Sequence, residues 1–129
     1  MTEWDFVKLL ENFGMDVSKF HASGEHDLEY VRAKFMLNFP NYKENDTIAY
    51  YNSREQAFFI SRKLYYRFNS KLNQISILGE NCPNCDMTRD YQRYEMDDVK
   101  GVTEAITYLA KRFKQISNDI RIKIVKEDF

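Results

Sequence analysis

The strongest constraint on this chain lies near its end. Val99, Val102, Ile106, Leu109, Phe113 and Ile116 recur there at alternating three- and four-residue steps. That spacing sets all of them on one stripe of an α-helix, with Ala105 and Ala110 beside it. A helix with one apolar stripe must bury that stripe against another element. Asp97 is placed to cap it, with Asp98 alongside. Lys111, Arg112 and Lys114 fall toward the end that the helix dipole makes attractive to cations. A second amphipathic helix is expected over residues 3–13, where Phe6, Leu9, Leu10 and Phe13 share a face. Thr2 serves as its N-cap, Asp5 as the capping-box partner, and Gly14 as its stop.

Between the helices the period changes from helical to two. Val31, Ala33, Phe35, Leu37 and Phe39 alternate with Arg32, Lys34, Met36 and Asn38 until Pro40 ends the run. A polar turn at residues 41–46 leads to a second strand at 47–51. Residues 53–69 carry two signals. Ser53-x-x-Gln56 resembles a capping box, and Ala57, Ile60, Leu64 and Phe68 would line a helix. The aromatic and β-branched content of Phe58, Phe59, Ile60, Tyr65, Tyr66 and Phe68 favours a long or broken strand in a meander. Residues 75–79 read as a further strand. Residues 15–27 read as a connector, and residues 80–98 as a polar connection that holds a short helix at 88–95. Ile120, Ile122 and Ile124 alternate with Arg121 and Lys123 as a last short strand. The expected order is α-β-β-β-β-α-β. This is an α+β domain with an antiparallel sheet of four to five strands and a helix toward each end. Both helices should pack on one sheet face or its ends, leaving the other face wet.

Composition bounds the rest. With 129 residues the chain fits one domain, and 43% hydrophobic with 30% charged residues is ordinary globular usage. No apolar run approaches the roughly 18 residues that span a bilayer. The opening Met-Thr-Glu-Trp-Asp lacks the basic and apolar pattern of an export signal. Two cysteines are too few for a disulfide scaffold of this size, which fits a reducing cytoplasm. Residues with AT-rich codons (Phe, Tyr, Met, Ile, Asn, Lys) outnumber those with GC-rich codons (Gly, Ala, Arg, Pro), as in AT-rich bacterial, phage and mobile-element genomes.

Cys82-Pro83-Asn84-Cys85 is the sharpest local pattern. It supplies half of a tetrahedral zinc site, which His21 and His26 or a second chain would have to complete. A Cys-Pro-x-Cys also occurs in glutaredoxin-like proteins. Those need a later proline near the active site, and none follows Pro83. The plain alternative is a proline turn bearing two ordinary thiols. His21 and His26 lie among Glu25, Asp27 and Glu29, with no nucleophile motif beside them. No glycine-rich phosphate loop is present.

The formal charge of -1 conceals a split. Residues 1–29 carry seven acids against two bases, residues 30–79 three against eight, and residues 80–129 ten against nine. No acid falls between Glu55 and Glu80. Arg62, Lys63, Arg67 and Lys71 do, interleaved with Tyr65 and Tyr66. Arg32, Lys34, Arg121 and Lys123 take the polar phase of two other expected strands. If these phases share a sheet face, that face is basic and aromatic. It would suit an acidic protein surface or a nucleic-acid strand, or be simply a solvated face. The leading expectation is a small non-catalytic protein acting by protein–protein contact, such as a phage or mobile-element inhibitor or an immunity-type protein. Its contact residues would be Arg62, Lys63, Tyr65, Tyr66, Arg67 and Lys71. The alternatives are a nucleic-acid-binding regulator using the same face and a zinc- or thiol-dependent enzyme using Cys82 and Cys85.

Overall fold

A computed structural model describes residues 1–21, 28–37, 42–69, 74–80 and 90–127. It has an α+β fold with a helix at each end of the described chain: α1 (Glu3–Asn12) and α2 (Val99–Glu127). Between them run β1 (Asp16–His21), β2 (Leu28–Lys34), β3 (Tyr42–Asn45), β4 (Ala49–Asn52), β5 (Ala57–Ser61), β6 (Leu64–Asn69), β7 (Gln74–Gly79) and β8 (Tyr91–Glu95). Five of these make an antiparallel sheet in the order β1-β2-β4-β5-β8. The others form a three-stranded sheet, β3-β7-β6, in which β3 runs parallel to β7 and β6 antiparallel to it.

The capping box of α1 forms as its sequence implies. The Asp5 N–H donates to Thr2 Oγ1 at 3.2 Å and the Thr2 N–H to Asp5 Oδ2 at 3.0 Å. These bonds hold the Asp5 carboxyl below its usual range. Gly14 ends the helix at φ 77°, where a side chain would be strained. Phe6, Val7 and Leu10 form the buried stripe. Phe6 stacks on Phe58 of β5 at 4.3 Å, and Tyr51 of β4 leans on Phe58 at 5.7 Å. From α2, Val102, Ile106, Leu109, Ala110, Ile116 and Ile120 join the same core, and Phe113 stacks on Phe35 at 4.6 Å. Phe35 continues the phase of Val31 and Ala33, so both helices cover one face of the five-stranded sheet.

The two sheets are joined through Asn45 to Ile48. The Ile77 N–H donates to Asn45 Oδ1, the Gly79 N–H to Asp46 Oδ2, and the Ile48 N–H to the Ala33 carbonyl. At the β5–β6 corner Ser61, though buried, is fully engaged. Its hydroxyl donates to the Lys63 carbonyl and accepts from the Glu80 N–H. Gly79 fits there because a Cβ would lie 3.1 Å from Ser61 Oγ.

Several expectations are corrected. The strand read over residues 31–39 is β2, Leu28–Lys34; residues 35–37 are not strand, and 38 and 39 lie outside the described residues. Residues 120–124 belong to α2 rather than a last strand, because Ile120 extends the stripe one turn beyond Ile116. Ile120 is 2% exposed, whereas Ile122 is 54% exposed and lies off the stripe. Lys111, Arg112 and Lys114 therefore sit mid-helix. The cap is Asp98, which accepts the Gly101 N–H at 2.9 Å, and not Asp97. Residues 91–95, read as part of a short helix, form β8, where Tyr94 faces inward opposite Phe58 and Arg93 outward opposite Phe59. The connector at 15–27 contains edge strand β1, whose mostly exposed residues carry no burial alternation to betray it. The turn at 41–46 contains β3. The segment at 53–69 is a broken strand, as expected, split into β5 and β6.

Ile120→Ala should cost about 2–4 kcal/mol in urea denaturation, as for a core truncation. Ile122→Ala should stay within about 0.5 kcal/mol, as at the surface. Equal losses would mean that the two isoleucines share a face, as in a strand.

Candidate functional site

Because side chains alternate across a strand, the register of the large sheet also fixes which residues face away from the helices. On that outer face one row runs Phe20, Tyr30, Asn52, Ala57, Glu95 and the next runs Ser18, Arg32, Tyr50, Phe59, Arg93. Tyr91 stands beyond, opposite Ser61. The aromatic rings meet across strands. Phe20 stacks on Tyr30 at 4.2 Å, Tyr50 on Phe59 at 4.7 Å, and Tyr91 meets Tyr50 edge-on at 4.9 Å. Guanidiniums lie over two of the rings, Arg32 over Tyr30 at 4.9 Å and Arg93 over Phe59 at 5.8 Å.

The β4–β5 turn forms one wall of this surface. The Arg54 N–H donates to Asn52 Oδ1 and the Gln56 N–H to the Asn52 carbonyl, both at 2.9 Å, and Gln56 takes φ 48°. The Ser53 N–H donates to the Glu29 carbonyl, which ties the turn to β2. Arg93 fastens it to β8, donating to Glu55 Oε2 at 2.8 Å and Glu95 Oε1 at 3.0 Å. These bonds, that to Glu95 first, hold its guanidinium even more firmly protonated than usual. The result is an open concavity of about 480 Å³ whose lining includes Tyr30, Arg32, Tyr50, Arg54, Tyr91 and Glu29. Tyr91 is fixed by donating its hydroxyl to the Thr47 carbonyl at 2.7 Å. Burial pushes the Tyr50 phenol above its usual range, and the Glu55 carboxylate adds to the shift.

The residues singled out by the charge pattern are distributed differently. Arg62 donates to Gln92 at 3.0 Å and pairs with Asp90 at 3.6 Å, and Lys63 pairs with Glu80 at 3.8 Å. On β6, Tyr65 and Arg67 are exposed, opposite Leu78 and Ser76. Tyr66 lies on the alternate phase beneath Lys123, 5.0 Å from its ring. Lys71, His26, Cys82 and Cys85 lie outside the described residues. His21 is exposed at the end of β1, with its ring 5.6 Å from that of Trp4. The expected common basic face does not form: Arg32 and Lys34 belong to the large sheet, whereas Arg121 and Lys123 are on α2. Comparison with protein-family models, curated proteins and solved structures finds no match.

The pattern of residues 30–34 already marked Arg32 and Lys34 as outward. Tyr50 and Phe59 gave no such signal, because each stands in a doublet of two aromatics, Tyr50-Tyr51 and Phe58-Phe59. Sequence cannot say which member of such a doublet is buried.

Burial of Tyr50, and likewise of Tyr94 with Asp98 nearby, raises the folded-state phenol pKa above the unfolded one. Their contribution to stability is therefore fully present below the ordinary tyrosine value of about 10 and is lost as pH rises through the raised value. Ultraviolet titration should show late-ionising phenols. Tyr50→Phe should remove one of them and flatten the alkaline loss of stability. An unchanged titration curve would refute the assignment.

Proposed function

We propose that this chain is a binding protein that recognises another protein through the outer face of its five-stranded sheet. The observation that carries this reading is the register, which gathers Phe20, Tyr30, Tyr50, Phe59 and Tyr91 with Arg32 and Arg93 on the sheet face that, among the described residues, no helix covers. Aromatic rings and arginine supply most of the energy at protein interfaces. Phe20 is 46% exposed although it is a large apolar ring. Charge favours a protein over a nucleic acid. Among the described residues, the bases Arg32, Lys34, Arg54 and Arg93 on or beside this face are equalled in number, though not all paired, by Asp16, Glu29, Glu55 and Glu95, and a polyphosphate strand requires an excess of positive charge. Binding of this kind agrees with the size and AT-rich coding bias of a phage or mobile-element inhibitor or immunity-type protein working in a reducing cytoplasm. Among the described residues no helix is long and apolar enough to cross a membrane.

Affinity capture from the source cell tests this. Tyr50→Ala should weaken capture of the partner about thirtyfold, as for a hot-spot residue worth about 2 kcal/mol. Tyr108→Ala, which truncates an exposed ring on α2, should leave capture unchanged. Equal capture by both variants, or loss of the captured species on nuclease treatment, would contradict the proposal.

A further inference from the structure

The charged groups around the concavity are not all satisfied. Arg93 is bound to Glu55 and Glu95. Arg32 and Arg54, which line the concavity, have no carboxylate within ion-pair distance among the described residues. Arg32 is held over Tyr30, and Arg54 is carried on the turn that Asn52 braces. Among the described residues the lining thus offers two guanidiniums without an ion-pair partner against the one carboxylate of Glu29, beside the rings of Tyr30, Tyr50 and Tyr91. The guanidinium fork matches a carboxylate in two-point geometry. The rings offer faces and edges for an apolar or aromatic side chain. The concavity is too open to enclose a small molecule, which would need most of its surface buried. It suits a few side chains of a longer segment.

Resting on the reading of the outer face as a protein-binding surface, we propose that this concavity takes an acidic segment of the partner. Carboxylates of that segment pair with Arg32 and Arg54, and an adjacent aromatic or apolar side chain lies against Tyr30 and Tyr50. Charge complementarity selects this occupant. A basic segment would set its cations against Arg32 and Arg54 and gain only Glu29. An uncharged one would leave both guanidiniums desolvated and unpaired.

The test is titration of the isotope-labelled full chain, followed by amide chemical shifts, with a synthetic peptide of alternating acidic and aromatic residues. Its controls are the same peptide with glutamine and asparagine in place of the acids, and a single-stranded oligonucleotide. The expected result is saturable shifts at residues 30–32 and 50–54, with affinity about tenfold or more weaker for the amide peptide, as for loss of charge-assisted hydrogen bonds. Arg32→Gln and Arg54→Gln should each weaken the acidic peptide by a similar factor while leaving the rest of the spectrum in place. Several outcomes would overturn the proposal: no binding of the acidic peptide, equal binding of the amide peptide, shifts confined to β6, or tighter binding of the oligonucleotide. The captured partner separates this proposal from the reading beneath it. Capture lost with Tyr50→Ala but kept by Arg32→Gln/Arg54→Gln refutes the acidic segment alone. Capture kept by Tyr50→Ala refutes the face itself.

Discussion

The stacking of Phe6 on Phe58 decides which way the large sheet faces. Phe58 is fully buried, with Phe6 from α1 at 4.3 Å and Tyr51 from the neighbouring strand at 5.7 Å. A one-residue slip of β5 would exchange Phe58 for Phe59 and turn every alternate side chain over. With the ring anchored under α1, Ala49, Tyr51 and Ile60 enter the core, and Tyr50 and Phe59 emerge on the opposite side. The helices complete the choice. α1 lies over β1 and β2, and α2 over β5 and β6, on the side where Phe35 meets Phe113.

The sheet side that neither described helix covers is therefore a consequence of the core. Rings excluded from the core pair with one another across strands, and Arg32 and Arg93 lie over them. Such pairs stiffen a sheet by a few tenths to about 1 kcal/mol each. They also present a preorganised array with little side-chain freedom left to lose on binding. The Glu55–Arg93–Glu95 cluster braces the β4–β5 turn and thereby sets where Arg54 projects. Arg93 is thus engaged within the fold, whereas Arg32 and Arg54 have no carboxylate within ion-pair distance among the described residues.

Much of this architecture was legible in the residues. The stripe from Val99 to Ile116 and the Thr2–Asp5 box define two helices without any structure, and the alternation over residues 31–39 locates β2, although the strand itself is Leu28–Lys34. Three features escaped for physical reasons. Ile120-x-Ile122-x-Ile124 satisfies a period of two, and only the continuation Ile116 to Ile120 reveals the helix. β1, β3 and β8 lie at sheet edges, where one side of the strand is solvated and hydrophobic patterning is weak. The outer aromatic face escaped because the aromatic doublets have no polar member to mark the outside. The charge run from Arg62 to Lys71 points instead to β6 and the corner before it, where Arg62 and Lys63 are paired with Asp90 and Glu80.

The central claim is that one member of each aromatic doublet is buried beneath the helices and its neighbour faces water. Hydroxyl-radical footprinting of the full chain, read residue by residue by mass spectrometry, tests it most directly. Tyr50 and Phe59 should be oxidised well ahead of Tyr51 and Phe58, with Phe20 and Tyr30 reacting alongside them and Phe6 and Phe35 protected. Equal oxidation within each doublet, or faster reaction at Tyr51 and Phe58, would contradict the account.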